Sequence, residues 1–189
     1  MTITRFINSI FSSNSFIIEE EGDAILVDVG DWEPLSSFLT SRRLNLKAVF
    51  LTHTHYDHIY GIRELMKEFP SVTIYTSPFG KEALTKSNWN FSRYHDDPIE
   101  ISSPLIVPVV QDQEINISEG LKVKIIETPG HDKSCLSYII RDSLFTGDSY
   151  IPNIKVVASF PNSNKAKASY FYDFLKSLSK DYRIYPGHN

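Results

Sequence analysis

The segment His53-Thr54-His55-Tyr56-Asp57-His58 gathers three imidazoles and a carboxylate into six residues of a chain that has six histidines in all. Imidazole and carboxylate are borderline-to-hard donors suited to zinc, iron or manganese. Two further histidines sit in a related setting. Thr128-Pro129-Gly130-His131 follows the alternating run Leu121-Lys122-Val123-Lys124-Ile125, and Tyr185-Pro186-Gly187-His188 follows Arg183-Ile184. Phe145-Thr146-Gly147-Asp148 adds a carboxylate after another strand-like stretch. The same grammar, strand then tight turn then metal-ligand side chain, therefore recurs four times. Scattered surface and core histidines would not produce it, and a metal site would.

Such donors need a rigid frame, and the flanking sequence predicts one. Ala48-Val49-Phe50-Leu51 is an apolar run that reads as a buried strand, and Ile59, Ile62, Leu65, Met66 and Phe69 recur at helical spacing. The first motif falls on the turn between them. Residues two apart on a strand face one side, so His53 and His55 can address one centre, while Asp57 and His58 at the helix start address a second. Further strands are expected over residues 2–7, 15–20 and 24–29, with a hairpin turn at Glu21-Gly22-Asp23. Asp28, near the end of its apolar run, reads either as a turn carboxylate or as a group that orients a ligand histidine. Asp31 is expected to cap a helix that ends near Arg43. Beyond the motif come a strand over 72–75, a short helix over 77–86, strands over 104–110 and 121–127, and a hairpin of 135–140 with 143–145. A helix over 163–180 and a short strand leading to His188 complete the chain.

Residues 87–104 break this pattern, being polar with embedded aromatics. A long irregular segment in a compact domain is often functional, so Trp89, Phe91, Arg93, Tyr94 and His95 are candidates for substrate contact. The alternative is that these aromatics anchor the loop to the body. Composition bounds the rest. At 189 residues with a net charge of −4, the chain reads as one domain, 1–189, with no Lys/Arg cluster and so no nucleic-acid footprint. Asn and Ser interrupt the apolar residues of 1–18, so neither a signal-peptide core nor a membrane span is expected. The single cysteine, Cys135, excludes an internal disulfide and points to a cytoplasmic protein.

The four motifs, in this order, resemble the metallo-β-lactamase fold superfamily of metal-dependent hydrolases. Ile25-Leu26-Val27-Asp28-Val29-Gly30 is similar to that family's early strand ending in an acidic residue, so the resemblance runs from about residue 25 to the end. It implies an α+β fold, a four-layer αββα sandwich with the metals at one edge between two sheets. It assigns His53, His55 and His131 to a first metal, Asp57, His58 and His188 to a second, and Asp148 to a bridging position. The resemblance implies two divalent metal ions, zinc first with iron or manganese as alternatives, and a bridging hydroxide that attacks an electrophilic carbonyl or phosphorus. Asp57 would also orient that nucleophile or shuttle a proton. In this family, insertions at residues 87–104 overhang the site, which directs attention to Trp89, Tyr94 and His95.

Departures within the family narrow the reading. Lactamases with a cysteine ligand lack the bridging aspartate that Asp148 matches, and Cys135 lies where the pattern has no ligand, so it reads as a buried strand residue. Flavin-linked diiron proteins carry Glu where His55 stands. The tRNA-processing nucleases add a substrate-binding arm with no counterpart here. Hydroxyacylglutathione hydrolases, the glyoxalase II enzymes, match the donor set best, but add a C-terminal helical domain with no counterpart before Asn189. The expectation is a dinuclear hydrolase of a small ester, thioester or lactone. A mononuclear iron dioxygenase acting on a persulfide, a phosphodiesterase on the same centre, and a metal-binding protein that has lost turnover remain alternatives.

Overall fold

The computed structural model describes residues 1–189 and places two mixed sheets face to face. The first has six strands in sequence order: β1 (Thr2–Ile7), β2 (Asn14–Glu20), β3 (Asp23–Val27), β4 (Asn45–Phe50), β5 (Thr73–Thr76) and β6 (Ile106–Pro108). The second runs in the order β11 (Arg183–Pro186), β10 (Ser143–Gly147), β9 (Leu136–Ile140), β8 (Leu121–Glu127) and β7 (Glu114–Ser118). Helices α1 (Trp32–Ser41) and α2 (Ile62–Glu68) cover the outside of the first sheet, and α4 (Lys165–Leu178) covers the outside of the second. The short α3 (Pro78–Ala83) packs by β6. This is the four-layer αββα sandwich expected from the sequence.

Strand alternation explains why the layers close. On β2, Ile17 faces the helices while Phe16 and Ile18 face the other sheet. On β3, Ala24 and Leu26 point outward, and Ile25 and Val27 inward. Strand segments buried on both faces must be apolar, which is why residues 24–27 of β3 and 48–50 of β4 read as unbroken hydrophobic runs. β8 differs: Val123 and Ile125 enter the core between the sheets, whereas Lys122 and Lys124 face solvent.

Several local expectations shift. Asp31 precedes α1 but makes no capping bond. Its carboxylate instead accepts from Ser9 N, Ser9 Oγ and Tyr60 Oη at 2.7, 2.8 and 2.6 Å, tying the β1–β2 loop to the segment after the motif. Strand β7 was not evident from the sequence: Glu-Ile-Asn-Ile-Ser is short and only half buried, so it carries a weak apolar signal. The motif histidines also lie beyond strand β4 rather than on it. Thr52 N donates to Asp28 Oδ1 in the first sheet's end, and Leu136 N donates to Thr52 O from the second. These bonds keep the segment extended, so His53 and His55 still alternate as they would on a strand. Asp57 and His58 do not start a long helix. They occupy a separate 3-10 turn, Tyr56–His58, and α2 begins only at Ile62. The break is enforced by the segment that follows β3, because Val29 N bonds to His58 O and Gly61 N to Val29 O.

Candidate metal centre

All seven donors of the motifs converge at one edge of the sandwich, where the strand ends of both sheets meet. Three groups of donor atoms lie within 4.8 Å of one another: His53, His55 and His131; His53, His58 and Asp148; and Asp57, His58 and His188. Asp148 touches both sets, with Oδ2 3.5 Å from His131 Nε2 and 3.4 Å from His188 Nε2, and Oδ1 3.6 Å from His58 Nε2. Asp57 Oδ2 lies 3.3 Å from His188 Nε2 and 3.4 Å from His58 Nε2.

Each of the five donor histidines turns one nitrogen inward, and four of them give the other to a hydrogen-bond partner, while His55 Nε2 has none. Thr52 Oγ1 lies 3.1 Å from His53 Nδ1, Asp28 Oδ2 2.9 Å from His58 Nδ1, Val157 O 2.7 Å from His131 Nδ1 and Phe11 O 3.1 Å from His188 Nδ1. His55 is reversed: its Nδ1 points inward, and its Nε2 lies 3.5 Å from Asp132 Oδ2. Outer partners of this kind fix tautomer and ring angle in metal sites. The inward atoms fit a cation better than each other. His55 Nδ1 meets His131 Nε2 at 3.0 Å, His58 Nε2 meets His188 Nε2 at 3.3 Å, and the buried His53 Nε2 and Asp148 Oδ1 have no hydrogen-bond partner. Buried acceptors without partners are costly, and a divalent ion at their meeting point would satisfy them together. The residues present therefore suit a metal pair.

Glycines let the four segments approach this closely. A Cβ on Gly187 would stand 2.1 Å from Asp148 Oδ1 and 3.0 Å from His58 Cε1. One on Gly130 would stand 2.5 Å from the backbone of Ala168 in α4, whose first turns back the His131 loop. The segment that bears His188 is tied to the start of β2: Asn14 N donates to Gly187 O at 2.7 Å, and Asn14 Nδ2 to Pro186 O at 3.0 Å.

Charge is divided within the cluster. Burial drives His53 well below the ordinary imidazole range and lowers His131. Burial also works against charge on His58, but Asp57 and Asp28 outweigh it and raise its pKa to about 9. His188 likewise overcomes burial through Asp148 and Asp57, reaching about 10. Asp148 would be raised by burial, yet the His188 hydrogen bond and the surrounding imidazoles hold it well below the usual carboxylate range. At pH 7 the metal-free chain therefore carries imidazolium at His58 and His188. A metal needs neutral imidazole, so loading the centre should release about two protons per chain at pH 7, and affinity should rise with pH up to the region of these pKa values. Calorimetric titration in buffers of different ionisation enthalpy counts the protons; release of none would contradict this charge assignment. The same raised values stabilise the metal-free fold below the ordinary imidazole pKa, and that contribution fades as pH rises through about 9 to 10.

The aromatics of the 87–104 segment are placed unevenly. Trp89 stacks on Phe79 at 5.1 Å between ring centroids, with Lys86 Nζ 3.7 Å from its ring. Tyr94 is 74% exposed, and His95 stacks on Tyr56 at 3.7 Å. None of these three expected substrate contacts packs on the donor histidines, and the anchoring alternative describes Trp89. The residue that reaches the centre is Phe91, held at φ 60°, whose ring lies 4.8 Å from that of His55. Phe160 meets it at 5.3 Å and packs on His55 and His131 at 5.2 and 5.6 Å.

Sequence reasoning gave Asp132, Ser134 and the 151–164 loop no role, although the loop supplies both Phe160 and the Val157 carbonyl. Asp132, directly after His131, was the one legible signal among them: a carboxylate beside a predicted ligand. A cavity of about 700 Å³ lies behind that loop, against α4, and includes none of the donors. Cys135 is buried next to β9, and burial pushes its thiol pKa well up, as suits an unreactive core residue. No helix is long and apolar enough to cross a membrane.

Known proteins resemble this chain in sequence model and in fold. The sequence model of the Metallo-beta-lactamase superfamily matches residues 9–188. Among solved structures, the BLEG-1 B3 metallo-beta-lactamase is 20% identical with a TM-score of 0.88, over 100% of this chain and 92% of that one. TTHA1623 in a di-iron-bound form is 19% identical with a TM-score of 0.85, over 98% and 92%. ETHE1 from Myxococcus xanthus is 23% identical with a TM-score of 0.75, over 100% and 76%.

Proposed function

The chain belongs to the metallo-beta-lactamase superfamily, whose members are in general hydrolytic enzymes, and from that premise we propose that it is a dinuclear metal-dependent hydrolase of an ester, thioester or lactone. The observation that carries this reading is the pair of donor sets joined through Asp148. His53, His55 and His131 would hold one ion, Asp57, His58 and His188 the other, and Asp148 both. Zinc is the first choice; the di-iron form of TTHA1623 supports iron as an alternative. Two bound ions would supply hydroxide at neutral pH and positive charge against the oxygen on which negative charge develops.

The protein's own groups do the rest. Asp57, kept ionised by His58 and His188 against the upward pull of burial, is placed to accept a proton at its carboxylate. Phe91 and Phe160 wall the His55 side and exclude water there. The competing reading, a mononuclear iron dioxygenase acting on a persulfide, rests on the His53, His58 and Asp148 group, two imidazoles and a carboxylate of the kind that holds non-haem iron.

The test is elemental analysis of untreated protein beside assays of acyl esters, thioesters, lactones, phosphodiesters and persulfide-dependent oxygen uptake. Two ions and acyl hydrolysis are expected; one iron with oxygen uptake would overturn the proposal. Phe91→Ala should raise the KM for the acyl substrate roughly tenfold, about the worth of one aromatic contact, without changing metal content. Trp89→Ala should instead lower thermal stability and leave KM alone. Steady-state kinetics on the two variants decides which ring faces substrate, and an unchanged KM in Phe91→Ala would remove it from the binding wall.

A further inference from the structure

Among the histidines, His55 alone offers Nδ1 to the centre, and it alone has a carboxylate of the 128–135 turn behind it. Asp132 is 1% exposed. Its Oδ1 accepts from Ser134 N at 2.8 Å and from Ser134 Oγ at 2.6 Å, while Thr54 N lies 3.2 Å from that same hydroxyl oxygen. Oδ2 has no hydrogen-bond partner and is aimed at His55 Nε2, 3.5 Å away. A fully buried carboxylate with one oxygen saturated and the other left for a single imidazole needs a reason, because burying it otherwise only costs stability.

We infer that Asp132, clamped by Ser134, is a positioning residue that holds His55 in the Nε2–H tautomer and so leaves Nδ1 free to bind the first metal ion. This rests on the metal-centre reading above. The inward Nδ1 of an unassisted imidazole could carry the proton itself, and it would then oppose a cation. A carboxylate acceptor on Nε2 removes that option and sets the ring plane; it also makes the inward nitrogen a better donor than the hydroxyl or carbonyl partners behind His53 and His131 can. The Thr54–Ser134 contact ties the clamp to the segment that bears His55, so turn and histidine shift together.

The test follows tautomer and metal separately. Long-range proton–nitrogen spectra of the wild-type metal-free chain should show His55 protonated at Nε2; protonation at Nδ1 overturns the inference. Chelator competition with zinc, and visible spectra with cobalt as the probe ion, then compare wild type with Asp132→Asn, Asp132→Ala and Ser134→Ala. Loss of the carboxylate should weaken the first ion about 10–100-fold, leave the second within about twofold, and change the cobalt spectrum. Ser134→Ala should show a smaller loss at the same site. A purely structural role would lower the melting temperature and leave site-selective affinity and the cobalt spectrum alone, and that result overturns the inference. Should Asp132→Ala fail to fold, the isosteric Asp132→Asn and the wild-type tautomer decide. If wild type itself binds no ion at the His53, His55 and His131 set, the functional reading falls too; if it binds and the Asp132 variants match it, only this inference falls.

Discussion

Asp148→Asn is expected to lower turnover on the order of 10³-fold and to release one of the two metal ions, because several kcal/mol of transition-state stabilisation depend on both ions being held together. Asp148 is the carboxylate in contact with both histidine sets, at 3.5 Å from His131 and 3.4 Å from His188. Asparagine keeps the size but removes the charge, and an amide nitrogen on one side would point a donor at an ion. The effect should separate cleanly from folding. Asp148 is held in its anionic form by four imidazoles, so losing the charge should also let the pKa values of His58 and His188 fall toward the ordinary range. Metal content, turnover and the histidine titrations of the variant check the three consequences. Unchanged turnover with two ions bound would reduce Asp148 to a turn residue.

Asp28→Ala should be the most damaging change away from the donors themselves. Asp28 is 1% exposed, and its carboxylate accepts from Thr52 N and Thr52 Oγ1 at 2.7 Å each and faces His58 Nδ1 at 2.9 Å. Alanine would strand a backbone N–H and the charged side of a fully buried imidazole, at a cost of about 3–5 kcal/mol, or roughly 10 °C of melting temperature in a chain of this size. It would also have to adopt the φ of 57° that Asp tolerates better than alanine. Asp28→Asn keeps the turn and can still accept from Thr52 N, but it turns an amide donor toward Thr52 Oγ1 and His58 Nδ1, so it should fold and lose affinity chiefly for the ion at His58. Thermal melting of the metal-free variants beside metal titration distinguishes these outcomes. A stable Asp28→Ala chain that binds both ions normally would return Asp28 to the role of a simple turn carboxylate.

The contrast between Asp28 and Val157 shows what the sequence could and could not disclose. Side-chain donors leave a compositional mark, so His53 to His58, His131, Asp148 and His188 were visible as types at strand ends, and Asp28 was visible as one of two alternatives. The partners behind His131 and His188 are the carbonyls of Val157 and Phe11, and any residue can offer a carbonyl. The apolar runs of β3 and the end of β4, together with the alternation of β8, made the layered fold legible, whereas β7 has only five residues, none of them fully buried. Periodicity also ran α2 back into the motif, because Ile59 and Ile62 are both buried; only the bonds to Val29 reveal that a 3-10 turn lies between. In the 87–104 segment, composition marked the aromatics but not their directions. The left-handed conformation at Phe91 turns that ring inward, while Trp89 finds Phe79 instead.

Metal stoichiometry tests the central claim most directly. Titration of the metal-stripped chain with zinc, followed by elemental analysis after gel filtration, should give two ions per chain, with His188→Ala retaining one and His53→Ala losing the other. One ion at saturation in the wild type, unaffected by His188→Ala, would contradict the dinuclear centre.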